Sequence, residues 1–202
     1  MKFILAKKIG MTQIFVDRTL IPVTLLEATP SQVVQVKSAK GKDGYDAVKL
    51  GFGKVNKPKR IKKTMKGQEF GCLREFRLSE PEMKNYQLGD KVDLGIFDEG
   101  DKVLVSGFSK GKGTAGAVKK WGFKGRLSST HGTKHELRTL GSVGSSNPDR
   151  VRKGRRMPGR LGNERVTVKN LEVVKVDKEH NILAVRGALP GRPGTLLEVV
   201  KK

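Results

Sequence analysis

The chain has 202 residues, with 42 Lys and Arg against 20 Asp and Glu, a formal net charge of +22 and a pI near 10.3. That length holds one or two domains with a buried core, and an excess of like charge that repels itself calls for a polyanionic partner. No apolar run reaches the roughly 18–20 residues that span a bilayer, and "MKFILAKKIGM" is too short of apolar residues for a secretory segment, so a cytoplasmic protein is expected.

In chain order, "TLIPVTLLEA", "SQVVQVKSA" and "DAVKLGFG" are short, rich in Val, Ile and Leu, and bounded by Gly, Pro or Asp, as half-buried strands are. "NKPKRIKKTMKGQEF" reads as a basic helix. Cys72, the only cysteine, excludes an internal disulfide and a multi-cysteine zinc site. With no histidine in "EFGCLREF", it is expected to be a small buried apolar residue. "SEPEMKNYQ" predicts a helix capped by Ser79 with Pro and Glu in its first turn. "KVDLGIF" and "DKVLVSGF" predict two more strands. Beyond a glycine-rich middle, "RVTVKNLEVVKV", "NILAVRGA" and "TLLEVVKK" resume the pattern, with "VDKEHN" as a hairpin loop that exposes His180. The expected fold is mainly β: a small closed or nearly closed β-barrel, a few short helices and a long extended basic loop insertion.

Charge divides the chain. Residues 107–165 hold +12 of the net charge and 12 of the 25 glycines, with only scattered apolar side chains. Residues 1–106 and 166–202 are then the globular barrel body, with a partly helical excursion around 54–88. The middle is too poor in apolar residues to offset the roughly 1–2 kcal/mol per residue lost on ordering a backbone. It also far exceeds the usual loop limit of roughly 12–15 residues, so it is expected to be disordered or held by a partner. Given its charge, that partner is nucleic acid.

Within it, "GKGTAGAV" from Gly111 to Val118 fits G-x-G-x-x-G-x-V, a nucleotide-phosphate pattern, and Glu136 lies near the spacing of a ribose-binding acid. The context fails. "AVKKWGFKGRLSSTHGTKH" is broken by three glycines and has no strand-like run, and no kinase catalytic segments occur. Gly111 and Gly113 flanked by Lys110 and Lys112 suit an RNA-backbone cradle by the same chemistry, close approach of phosphate to backbone N–H groups. The cations continue with Lys119, Lys120, Lys124, Arg126, Lys134 and Arg138. In "RVRKGRRMPGR" and its approach come Arg150, Arg152, Lys153, Arg155, Arg156 and Arg160. Arginine suits bidentate phosphate contacts and stacking. Trp121, near Phe123, either stacks on a base or packs at the root of the loop. His131 and His135 have i, i+4 spacing, but the order is not H-E-x-x-H and Gly132 weakens a helix, so RNA contact or surface packing is expected before metal. No nucleophile–base–acid set is evident, and no enzyme activity or cofactor is expected; a nucleotide-binding enzyme using Gly111–Val118 is the disfavoured alternative.

Together "KKIGMTQIF", "GFSKGKGTAGAVKKWGF", "KGRRMPGRLGNERVTVKNLEVVKVD" and "NILAVRGALPG" resemble the large-subunit ribosomal protein L three family in its compact bacterial form. The resemblance spans nearly the whole chain in the right order. It implies a β-barrel of the type shared with translation factors, interrupted by a loop that enters large-subunit (23S) rRNA. It also implies direct, early binding near the rRNA 3′ domain that nucleates assembly, and a loop tip that approaches the peptidyl transferase centre without catalytic groups. The RNA-contacting loop would be about Ser109–Arg165, tip near Gly141–Arg150, adding Ser109, Ser145, Asn147, Asn163 and Arg165 to the contact set. Ribosomal proteins numbered fourteen and nineteen would touch the barrel. Some relatives carry a methylated glutamine at the tip; Ser145, Ser146 and Asn147 stand there, so that modification is expected to be absent. Leu104 and Lys120 also depart from the family's usual acidic or amide residue and arginine.

Overall fold

The computed structural model describes residues 2–16, 18–41, 43–55, 61, 65, 67–128 and 130–201. Its contacts divide the chain into two units, Met1–Phe108 with Arg165–Lys202, and Ser109–Glu164. The first unit is the body.

The body opens with β1 (Lys2–Val16), β2 (Thr19–Glu27), β3 (Ser31–Lys37), β4 (Ala47–Lys54) and β5 (Phe70–Arg77). The short helix α1 (Glu80–Met83), β6 (Lys91–Val92) and β7 (Lys102–Phe108) follow. Between body segments lie β8 (Thr114–Ala115), α2 (Ala117–Trp121) and β9 (Gly159–Arg160) of the second unit; β10 (Arg165–Asp177), β11 (Ile182–Arg186) and β12 (Leu196–Lys201) complete the body. The fold is mainly β, as expected. Six antiparallel strands close a barrel in the order β1-β12-β7-β10-β11-β2. Beside this barrel, β5-β4-β3-β6 make a separate four-stranded sheet.

The reason lies in the first strand. In "FILA", Phe3, Ile4, Leu5 and Ala6 are all completely buried, so alternation is absent. Ile4 and Ala6 belong to a cluster with Leu26, Phe97, Val105 and Leu183, whereas Phe3 and Leu5 belong to another with Val48, Leu50, Phe52 and Phe76. Successive side chains in a strand point to opposite faces, so β1 is a shared wall between two cores. Without a polar face it gives no period-2 signal. The register shift between Lys8 and Gly10 marks where β1 leaves β12 and continues with β2 alone, a bend that barrel closure uses. The Lys8 ammonium is buried there, donating to the carbonyls of Leu189 at 2.7 Å and Gly191 at 3.3 Å.

Other expectations meet the structure unevenly. Of "KVDLGIF", only Lys91–Val92 is strand; the Asp93 carboxylate accepts the Gly95 N–H at 2.9 Å and turns Leu94–Ile96 into a 3-10 turn. That turn delivers Leu94 and Phe97 to the barrel core. The predicted helix after Ser79 is present but short, with the Ser79 N–H and hydroxyl donating to Glu82. Cys72 is half-buried and not fully buried, because it sits on β5 at the margin of the second core. The basic helix expected over "NKPKRIKKTMKGQEF" falls largely outside the described residues. His180 lies exposed in the β10–β11 turn, where Asp177 accepts its backbone N–H at 3.0 Å.

Asp101 ties the start of β7 to the end of β12. Its carboxylate meets the Lys201 ammonium at 2.5 Å and accepts the Asp98 N–H at 3.0 Å, and these contacts, the ammonium first, hold its pKa below the ordinary value. A depressed folded pKa contributes stability that is present above the unfolded value, about 3.9, and is lost as pH falls through the folded one. Urea unfolding of wild type and Asp101→Asn is expected to show a less stable variant at pH 7 and a gap that narrows below about pH 4.

Candidate nucleic-acid interface

The second unit, Ser109–Glu164, is an arm whose two ends run antiparallel. The Ser109 N–H donates to the Glu164 carbonyl at 2.9 Å, Lys112 N–H to Leu161 at 2.9 Å, and Leu161 N–H to Gly113 at 3.0 Å. Beyond them β8 pairs with β9, Thr114 opposite Arg160 and Ala115 opposite Gly159. A shapeless insertion is therefore not what forms at the root. Of the expected phosphate cradle, the Lys112 amide is engaged by Leu161, while Gly111 and Gly113 are exposed. Glycine at this root serves close chain approach. Gly162 has φ +75°, and a β-carbon there would overlap the Lys110 carbonyl; Gly125, also at +75°, is equally close to the Leu137 carbonyl.

Gly162→Ala is expected to destabilise the arm's root by more than about 1 kcal/mol, since the substitution meets both an unfavourable φ and a backbone atom. The check is hydrogen exchange: the Lys112 and Leu161 amides should exchange several-fold faster while the amides of the barrel strands keep their protection.

Past the ladder, α2 spans Ala117–Trp121 and stops at Gly122, too short for the helix of a dinucleotide fold. The strand before the glycines is β7, antiparallel to both its neighbours. Glu136, at the spacing of a ribose acid, is instead ion-paired with Arg126. No nucleotide site is assembled by these residues. Only Ala115, Ala117 and Thr133 of the described arm residues are fully buried, so hydrophobic burial contributes little to its shape.

Trp121 is tied to the arm by its indole N–H while the residue is 41% exposed. Its Nε1–H donates to the Met157 carbonyl at 2.8 Å, joining the outgoing and returning sides of the arm. The Lys120 ammonium and Arg156 guanidinium stand 5.1 and 5.6 Å from its ring centroid. The Arg155 guanidinium donates to the Ser142 carbonyl. Arg165, at the start of β10, is engaged by Glu198, which also holds Arg74 at 3.1 Å. It belongs to the body's ion network and leaves the set of unpaired arm cations.

The remaining predicted cations lie open. Lys110, Lys112, Lys119, Lys124, Lys134, Arg138, Arg150, Arg152, Lys153 and Arg160 are exposed, with no ion pair among the described residues. Gly111, Gly113, His131, His135, Ser145, Asn147 and Asn163 are also exposed, while Ser109 and Lys120 are half-buried. No group of three or more His, Cys, Asp or Glu side chains gathers as metal ligands among the described residues. Fourteen Lys and Arg against three acids within Ser109–Glu164 make a long cationic surface whose phosphate-reaching groups are mostly uncommitted.

The family model described as Ribosomal protein L3 matches residues 84–198. The chain belongs to the ribosomal protein L3 family. Curated relatives named Large ribosomal subunit protein uL3 support this along almost all of the chain. That of Thermosipho africanus is 48% identical over 202 residues, covering 98% of this chain and 96% of the relative. Those of Fervidobacterium nodosum and Pelotomaculum thermopropionicum are 46% and 50% identical, covering 98% and 97% of this chain and 96% and 94% of their own lengths. The resemblance read from the basic motifs is thus membership, and of the bacterial form. L3 proteins are structural ribosomal proteins of the cytoplasm in bacteria, not enzymes, and the chain takes its class from them. No helix among the described residues is long and apolar enough to cross a membrane.

Proposed function

We propose that this L3-family chain is a structural constituent of the large ribosomal subunit that binds 23S rRNA directly through the arm, nucleates early assembly near the rRNA 3′ domain, and extends the tip near Gly141–Arg150 toward the peptidyl transferase centre. The observation that carries the reading is the concentration of exposed, unpaired cations on an arm with almost no core of its own. Such a surface neutralises phosphates by displacing counterions, and RNA supplies the ordering free energy that burial does not. The tip contributes no catalytic set, so its role at a reaction centre is positional.

Neighbouring ribosomal proteins form the second class of partner, those numbered fourteen and nineteen by the family resemblance. Support comes from the β1–β2 ribbon, which exposes Ile9, Met11, Phe15 and Leu20, Phe15 at 76%. From Ile9 to Val16 the ribbon has no charged residue, which suits a protein surface better than phosphate.

The test is binding of the full chain to a large-subunit rRNA transcript against salt. If about ten phosphates are neutralised, log affinity falls with log salt at a slope of roughly −7 to −9. Structured rRNA should outcompete duplex DNA at physiological salt. A slope near −2, or equal affinity for the two nucleic acids, would contradict the reading.

A further inference from the structure

Within the arm, Phe123, Lys124, Arg126, Glu136, Thr139 and Leu140 line an open cavity of about 300 Å³. This volume is at the lower end of the roughly 300–1,000 Å³ of ligand-binding clefts. Its chemistry differs from the rest of the arm. Glu136 is one of three acids in Ser109–Glu164, and its Oε2 faces the Arg126 guanidinium. The Glu136 side chain stays 55% exposed beside Arg126, open to a further donor. Here an acceptor carboxylate stands beside an aromatic ring, with Lys124 and Arg126 also on the lining. An ionised carboxylate only accepts hydrogen bonds, which an unpaired nucleobase can donate from its ring or exocyclic N–H groups. Half-buried Phe123 and Leu140 supply the apolar wall on which an unstacked base can lie.

We propose that this cavity receives a single unpaired nucleobase of the rRNA, stacked against Phe123 with one of its N–H groups donating to Glu136. The inference rests on the proposed rRNA binding and adds a base-reading contact to it. Base contacts displace no counterions, so they differ from phosphate contacts in salt dependence.

The experiment uses the full chain with a large-subunit rRNA transcript. Phe123→Ala is expected to weaken binding about 10-fold without changing the slope of log affinity against log salt. Phe123→Tyr, which keeps the ring, should restore it. Ultraviolet crosslinking of the wild-type complex should leave a nucleotide adduct on the peptide containing Phe123. Unchanged affinity for the alanine variant, a reduced slope, failure of tyrosine to rescue, or no adduct on the Phe123 peptide overturns the proposal while leaving rRNA binding intact. Failure of the wild-type chain to bind the transcript overturns the rRNA reading itself.

Discussion

Replacing Arg152, Lys153, Arg155 and Arg156 together with alanine should weaken binding to a large-subunit rRNA transcript by about 100- to 1,000-fold at 0.15 M salt. It should also reduce the slope of log affinity against log salt by roughly 3, since each lost phosphate contact removes about 0.7–0.9. The slope separates charge loss from misfolding. Arg155 and Arg156 also hold the arm together, through the Ser142 carbonyl and the Trp121 ring. A companion variant with lysine at both positions keeps the charge while removing the guanidinium fork, so it should retain most of the slope and lose affinity modestly. If the alanine variant kept the wild-type slope, these groups would not be meeting phosphate.

Phe3→Ala has the largest expected effect on the body, a loss of about 3–5 kcal/mol. The Phe3 ring is completely buried, stacks on Phe76 with centroids 4.5 Å apart, and lies 5.1 Å from Tyr86. It fills the core under β3–β6 from the wall that also closes the barrel, so the void would be enclosed by two sheets and could not collapse easily. Against a total stability of about 5–15 kcal/mol for a typical domain, the variant should unfold at much lower urea. Phe15→Ala is the control. That ring is exposed on the β1–β2 ribbon, and its removal should change stability by less than about 0.5 kcal/mol.

The contrast between Phe3 and Phe15 also shows what could be read from residue order. Strands with one wetter face, such as β10 and β12, announce themselves by alternation and turn residues. β1 does not, because Phe3 and Leu5 face one core while Ile4 and Ala6 face the other. Nothing in the local pattern of "KVDLGIF" reveals that Asp93 will cap a 3-10 turn. In the arm, charge was legible because it needs no partner to be counted, and the two basic runs located it. Which cations are already engaged was not legible. Arg126 with Glu136 and Arg165 with Glu198 are partners 10 and 33 residues apart, joined only once the chain folds back. The glycine-rich stretch was the most misleading element. Its spacing mimics a nucleotide loop, yet its backbone spends the Lys112 amide on Leu161 of the returning strand. Gly162, outside the motif, is the glycine whose backbone the close approach requires.

The most direct measurement places a photoreactive residue at Lys153 on the arm and, separately, at Phe15 on the body, in intact large subunits. The arm position is expected to crosslink to 23S rRNA and the body position to a neighbouring protein. Crosslinking of the arm position to protein alone, with no rRNA adduct, would contradict that expectation.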